Sequence, residues 1–229
     1  MKIGAIQKTS LLEFPGLISC IVFTQGCNFR CHYCHNPELV LPEKFETTIV
    51  EEEFFDFLDR RKKYLEGVCI TGGEPSIQLD IIDFINEIKK RGFKVKFDTN
   101  GSNPDIIEKL LKEKLIDYIS IDLKGPFEKY EEIIGVKVDI EKIKKSIDLI
   151  KDFSIDYEFR TTVVKKQILI EDFEEIGKQI KGAKKYYLQK FIPSKLVNSE
   201  FEKETTYTDQ EFEIIKGIMK KYVEICEVR

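Results

Sequence analysis

The chain has 229 residues, 42% hydrophobic and 34% charged, with 37 Lys and Arg against 41 Asp and Glu and a formal net charge of −4. That length fits one α/β domain, or a domain with a small appendage, and supplies enough apolar residues for a substantial core. The mildly acidic balance gives no electrostatic footprint for nucleic acid, and no apolar run approaches the roughly 20 residues of a membrane span. No apolar signal region follows Met1, so a cytoplasmic location is expected.

In chain order, Ile18 to Phe23 is a β-branched run that predicts a buried strand, followed directly by a loop holding Cys27, Cys31 and Cys34. Thr48 with Glu51 predicts a capping box, opening a helix that carries Phe54, Phe55, Leu58 and Leu65. Val68 to Thr71 predicts the next strand, closed by Gly72-Gly73. Ile81, Ile82, Ile85 and Ile88 recur at helical spacing, with Gly92 as the stop. Phe93 to Phe97 predicts a strand, and Asn103-Pro104 reads as an N-cap followed by proline at the first helical position. That helix uses Ile106, Ile107, Leu110 and Leu111.

Tyr118 to Leu123 predicts another strand, and Asp139 starts a helix with Ile143, Ile147 and Ile150 on one face. Ile155 to Val164 and Tyr186 to Phe191 are further strands, with a helix marked by Phe173, Ile176 and Ile180 between them. Residues 193–207 read as a polar connector, and Thr208 with Glu211 caps a last helix carrying Phe212, Ile215, Ile218 and Tyr222. Six strands alternating with helices imply parallel pairing through right-handed crossovers. A full barrel needs eight such units, so the expectation is an α/β partial (β/α)6 barrel, its parallel sheet open on one side. Residues 1–193 would form the barrel, and residues 194–229 a C-terminal connector and helix packed on it.

Six cysteines in a chain of this length do not read as a disulfide framework. Cys20, Cys69 and Cys226 sit singly in apolar runs and read as small buried residues. Cys27, Cys31 and Cys34 form a Cys-x3-Cys-x2-Cys loop, one thiolate short of a four-coordinate site. A structural zinc or an electron-transfer cluster normally takes all four ligands from protein. Three leave one iron of a [4Fe-4S] cluster open for a non-protein ligand. The alternative is a zinc ion completed by His32 or His35, the only histidines in the chain.

Cys27-x3-Cys31-x-Tyr33-Cys34 resembles the signature of the radical S-adenosylmethionine (SAM) superfamily. The resemblance implies that the open iron chelates the amino and carboxylate groups of SAM. Reductive cleavage there yields a 5′-deoxyadenosyl radical, and Tyr33 lies near the adenine. Gly72-Gly73-Glu74-Pro75 ends the second strand. Paired glycines let backbone groups approach a ligand closely, and a glutamate can bind an ammonium, although Gly-Gly is also a common turn. In the superfamily this element holds the methionine amino group.

Asp98-Thr99-Asn100-Gly101 and Asp122-Leu123-Lys124 end the third and fourth strands, where active sites of parallel α/β barrels collect. As plain structure they would be a turn and a strand-end cap. Both resemble elements of the pyruvate formate-lyase activating enzyme and its relatives. That resemblance implies that Asp98, Thr99 and Asp122 help place the SAM carboxylate, in part through a bound monovalent cation. Arg160 matches an arginine near the SAM ribose and carboxylate. A salt bridge to Asp or Glu is the equal alternative for a barrel-lining arginine. Gln189 would face the adenine.

Lys8-Thr9-Ser10, Phe14-Pro15-Gly16, Gln25-Gly26-Cys27-Asn28 and Cys34-His35-Asn36-Pro37 closely resemble the N-terminal signature of the glycyl radical enzyme activating group. The group implies hydrogen abstraction from a backbone glycine of a partner glycyl radical enzyme, such as anaerobic ribonucleotide reductase. A flavodoxin or ferredoxin would be the electron donor. Lys181, Lys184 and Lys185 read as a solvated helix end or as a docking surface for such a carrier. The competing readings are a radical SAM enzyme acting on a small molecule, as in 7-carboxy-7-deazaguanine synthases, and a non-catalytic iron–sulfur protein.

Overall fold

Strands adjacent in the chain are adjacent in space throughout the computed structural model, which describes residues 1–194 and 198–229. The strands are β1 (Ile3–Ser10), β2 (Ser19–Thr24), β3 (Gly67–Gly72), β4 (Lys94–Thr99), β5 (Tyr118–Asp122), β6 (Asp156–Val163), β7 (Lys185–Lys190) and β8 (Ile225–Val228). The helices are α1 (Pro37–Val40), α2 (Glu51–Arg61), α3 (Ile81–Lys90), α4 (Pro104–Lys112), α5 (Tyr130–Ile134), α6 (Ile140–Asp152), α7 (Asp172–Gln179) and α8 (Asp209–Met219). β2 through β8 pair in parallel, with Val22 opposite Ile70 and Ile121 opposite Phe159. β1 and β8 are the two edges, and the sheet does not close.

The six expected strands are β2 to β7, and two more flank them. β1 runs antiparallel to β2. Its burial alternates irregularly and its polar residues face out, so it lacks the apolar run that marks the others. β8 is four residues long and adds to β7, which makes the C-terminal segment part of the same sheet. The connector expected over 193–207 includes residues 195–197, which lie outside the described residues.

Period-two alternation sorts the parallel strands into two faces. Val68, Ile70, Val95, Phe97, Ile119, Ile121 and Phe159 point outward into one apolar cluster. Phe54 and Leu58 of α2, Phe84, Ile85 and Ile88 of α3, and Ile143, Ile147 and Ile150 of α6 meet them there at helical spacing. Phe14, Ile21, Cys69 and Tyr118 form a second, separate cluster on the inner face.

The two capping boxes have different outcomes. At Thr208 and Glu211 both reciprocal bonds form. At Thr48 and Glu51 neither does, and α2 starts after Val50 without a side-chain cap. Ile49 donates its N–H to the Ile3 carbonyl at 2.8 Å in a β-bridge, which holds the chain extended there. Glu51 pairs instead with the N-terminal ammonium. Glu51, Glu52 and Glu53 in the first turn suit the positive end of the helix. Leu65 lies beyond the end of α2, buried at the approach to β3.

Candidate functional site

The C-terminal ends of β2 to β6 surround one open cavity of about 220 Å³. The loop after β2 contributes Cys27, Cys31, Tyr33 and Cys34, and the end of β3 contributes Gly72, Gly73 and Glu74. The end of β4 and the residue after it contribute Asp98, Thr99 and Asn100, and the end of β5 with the turn after it contributes Asp122 and Lys124.

The cysteine loop is held from several sides. Arg30 Nη1 donates to the carbonyls of Cys27 at 2.7 Å and Phe29 at 2.8 Å. The Arg30 N–H reaches the Ile134 carbonyl at 2.8 Å. Asn28 bridges to the β4–α4 connection through Asn100 at 2.9 Å and Ser102 at 2.8 Å. A cover comes from beyond β7: His35 Nε2 donates to the Ile192 carbonyl at 2.8 Å, and the Asn198 N–H donates to the His32 carbonyl at 3.1 Å. His35 also stacks on Phe191, and His32 on Phe201.

All three loop thiols are free. Burial pushes the Cys27 thiol up to about 12, with the Glu74 carboxylate adding to it. It pushes Cys31 to about 11 and also raises Cys34. Among the described residues no three His, Cys, Asp or Glu side chains are disposed to hold a single metal ion. The three sulfurs line the same cavity. The Tyr33 hydroxyl is buried there without a hydrogen-bond partner, a polar group left for a ligand to satisfy.

Gly72 and Gly73 serve a backbone contact. Gly72 has φ +109°, and a Cβ on it would fall on the Thr24 amide. One on Gly73 would fall on the Gly26 carbonyl oxygen. Free of side chains, the Gly73 N–H donates to the Thr24 carbonyl and the Glu74 N–H to the Gly26 carbonyl, both at 2.8 Å. This fastens the end of β3 to the start of the cysteine loop and turns Glu74 inward. Glu74 is 1% exposed. Its Oε1 accepts from the Ser76 N–H at 3.0 Å and Thr99 Oγ1 at 2.6 Å, and its Oε2 accepts from the Asn100 N–H at 2.7 Å. Burial raises its pKa against those donors.

Arg160 does not line the cavity. It lies beneath, with Nε 2.8 Å from Asp122 Oδ1 and Nη2 3.2 Å from Asp98 Oδ2. The ion-pair alternative for this arginine is what the structure holds. Lys96 pairs with Asp98 Oδ1. Deeper on the inner face, Arg229 of the C-terminal segment brackets Glu158 at 3.1 and 3.3 Å, and the Tyr118 hydroxyl donates to Glu158 at 3.0 Å. Burial opposes the ionisation of Asp122, but Arg160 and Lys124 outweigh it and hold its pKa at about 2. Asp98 is also lowered, with Arg160 and Lys96 overcoming its burial. Gln189 sits on β7 opposite Thr162 and outside the cavity lining.

Two residues had no assigned part in the sequence reading. Lys124 lines the cavity beside the thiols. Burial works against its ammonium, yet neighbouring Tyr33, Asp122 and Cys31 raise its pKa well above the ordinary lysine range, and of these Asp122 is the one ionised at neutral pH. Its signal was its place two residues after Asp122, on the same side of the chain. Lys96, an ammonium between Val95 and Phe97, was signalled only by a charge inside an apolar strand.

Comparison with known proteins agrees with this geometry. Residues 21–180 match the model of the radical SAM superfamily. A Methanocaldococcus jannaschii protein, provisionally named a glycyl-radical enzyme activating enzyme, is 38% identical over 99% of this chain and 95% of its own length. The pyruvate formate-lyase-activating enzyme of Listeria monocytogenes is 34% identical over 54% of this chain and 53% of its own. The solved structure of QueE from Escherichia coli superimposes on 100% of this chain and 93% of that one, with TM-score 0.58 at 15% identity, a likeness of fold.

Proposed function

The chain belongs to the radical SAM superfamily, among the glycyl-radical enzyme activating proteins, and on that premise we propose which reaction its cavity performs. It is an activase that cleaves SAM reductively and removes a hydrogen atom from a backbone glycine of a partner enzyme. Anaerobic ribonucleotide reductase is a candidate partner, and a flavodoxin or ferredoxin the electron donor. The observation that carries this reading is the meeting of three free thiols, an unpartnered tyrosine hydroxyl and a buried carboxylate in one cavity at the strand ends.

Cys27, Cys31 and Cys34 would hold a [4Fe-4S] cluster. When bound, cluster and SAM together supply the electron and the hydrogen-abstracting power. The chain's own groups bind, orient and exclude. The buried thiols are protonated at neutral pH, so loading expels their protons. Glu74 has two oxygens and about four acceptor positions, of which three are used. The remaining one, on Oε2, suits the methionine ammonium, whose charge would keep the buried carboxylate ionised. Lys124 offers an ammonium to the methionine carboxylate, and Tyr33 its free hydroxyl to the adenine end. Phe29 and Val40 in the wall keep water from the reacting centre.

The test is anaerobic reconstitution with iron and sulfide, reduction, and addition of SAM. Methionine and 5′-deoxyadenosine are expected, and their absence sinks the catalytic reading. Mixing with a glycyl radical enzyme should then give a glycine radical signal by electron paramagnetic resonance. Cleavage without that signal for any candidate partner would transfer the assignment to a small-molecule substrate.

A further inference from the structure

The monovalent cation that the family resemblance implies beside Asp98, Thr99 and Asp122 does not fit the donors this chain presents. Such an ion needs oxygens with lone pairs to spare and negative charge around it. Here every carboxylate oxygen of the pair already faces a protein cation. Asp98 Oδ1 takes Lys96, and Asp98 Oδ2 takes Arg160 at 3.2 Å. Asp122 Oδ1 takes Arg160 at 2.8 Å, and Asp122 Oδ2 takes Lys124 at 3.6 Å. Thr99 Oγ1 donates to Glu74 at 2.6 Å and accepts from the Gly101 N–H at 3.1 Å. A metal ion added here would sit among three positive groups and displace one of them.

Lys96 sets this balance. It stands two residues before Asp98 on β4, on the same face and one layer beneath the cavity. It is 1% exposed. Asp122 acts on it from farther off, and its nearer neighbours on that face are uncharged. The Tyr118 ring lies 5.9 Å away, and burial pushes the Cys69 thiol up to about 12. Among the described residues Asp98 is the one carboxylate in direct ion-pair contact with it, and a buried ammonium paired with one carboxylate gains little stability over an apolar pair. We infer that the Lys96 ammonium takes the place of a bound monovalent cation, neutralising Asp98 so that the aspartate pair is held without a metal ion. Only the SAM-affinity readout below rests on the reading of the cavity as a SAM site.

The direct test is a thallous-ion NMR titration of the cofactor-free protein, with choline as the balancing salt. Wild type should show no saturable site, whereas Lys96→Met should acquire one and Lys96→Arg should not. A saturable site in wild type, or none in a folded Lys96→Met, overturns the inference. The second readout is SAM affinity of the reconstituted enzyme in choline, sodium and potassium chloride. Wild type should vary less than about twofold among the salts. Lys96→Met should bind SAM roughly tenfold more weakly in choline and recover in potassium. A wild-type enzyme that needs potassium for tight SAM binding overturns the inference even if Lys96→Met fails to fold. A protein that binds no SAM in any salt defeats the reading of the cavity, while the thallous-ion result still decides the place of Lys96.

Discussion

The two faces of one sheet differ sharply in chemistry. Outward, Val95, Phe97, Ile119 and Ile121 meet the helices in a continuous apolar layer. Inward, on the same strands and one residue out of step, stand Lys96, Asp98, Ser120 and Asp122, joined through Arg160 and Glu158. Apolar burial stabilises at about 25 cal/mol per Å², while desolvation of buried charges cancels most of their attraction. The outer face therefore carries the stability of the fold. The inner face holds charged groups in place at some cost to it, and the cavity they support is the return.

Four substitutions test that division. Cys31→Ala, on the cavity side, should abolish cluster absorption and 5′-deoxyadenosine formation while moving the thermal midpoint by no more than roughly 5 °C. A collapse of stability would show the loop to be structural. Ile119→Ala, on the outer face, should do the reverse. It should cost about 2–5 kcal/mol in urea denaturation, with SAM cleavage per folded molecule unchanged. Lys124→Met should weaken SAM binding about tenfold with little change in stability; equal loss of both would erase the distinction between the faces.

The smallest effect is in acid. The pKa of Asp122 is depressed from 3.8 to about 2, so its contribution is complete above about pH 4 and is lost as pH falls through about 2. Asp122→Asn should therefore lose stability less steeply over that window than wild type, measured by thermal melts at stepped pH. An unchanged slope would mean that its ion pairs do not couple to folding.

The outer face was legible in the sequence because covering by helices leaves its signature in each segment alone. Runs such as Ile18–Phe23 and the isoleucines of α3 and α6 suffice to mark buried elements. β1 was illegible because Gln7, Lys8 and Thr9 face out from an edge, and β8 because four residues hold no period. The expected cap at Thr48 failed because the Ile3–Ile49 bridge, a contact distant in sequence, claimed that stretch first. The cavity was legible as far as its motifs: the cysteine loop, Gly72 to Glu74, and the aspartates at the strand ends. Their partners were legible only in part: a salt bridge was one of two readings for Arg160, but its links to both aspartates, like that from Arg229 to Glu158, cross strands whose register no single segment records.

The cover over the cysteine loop has a consequence for durability. Phe201 stacks on His32, and the Ile192 carbonyl accepts from His35, both on the loop that carries the cysteines. On the proposed reading, disturbing these contacts should shorten the lifetime of the loaded enzyme outside an anaerobic chamber.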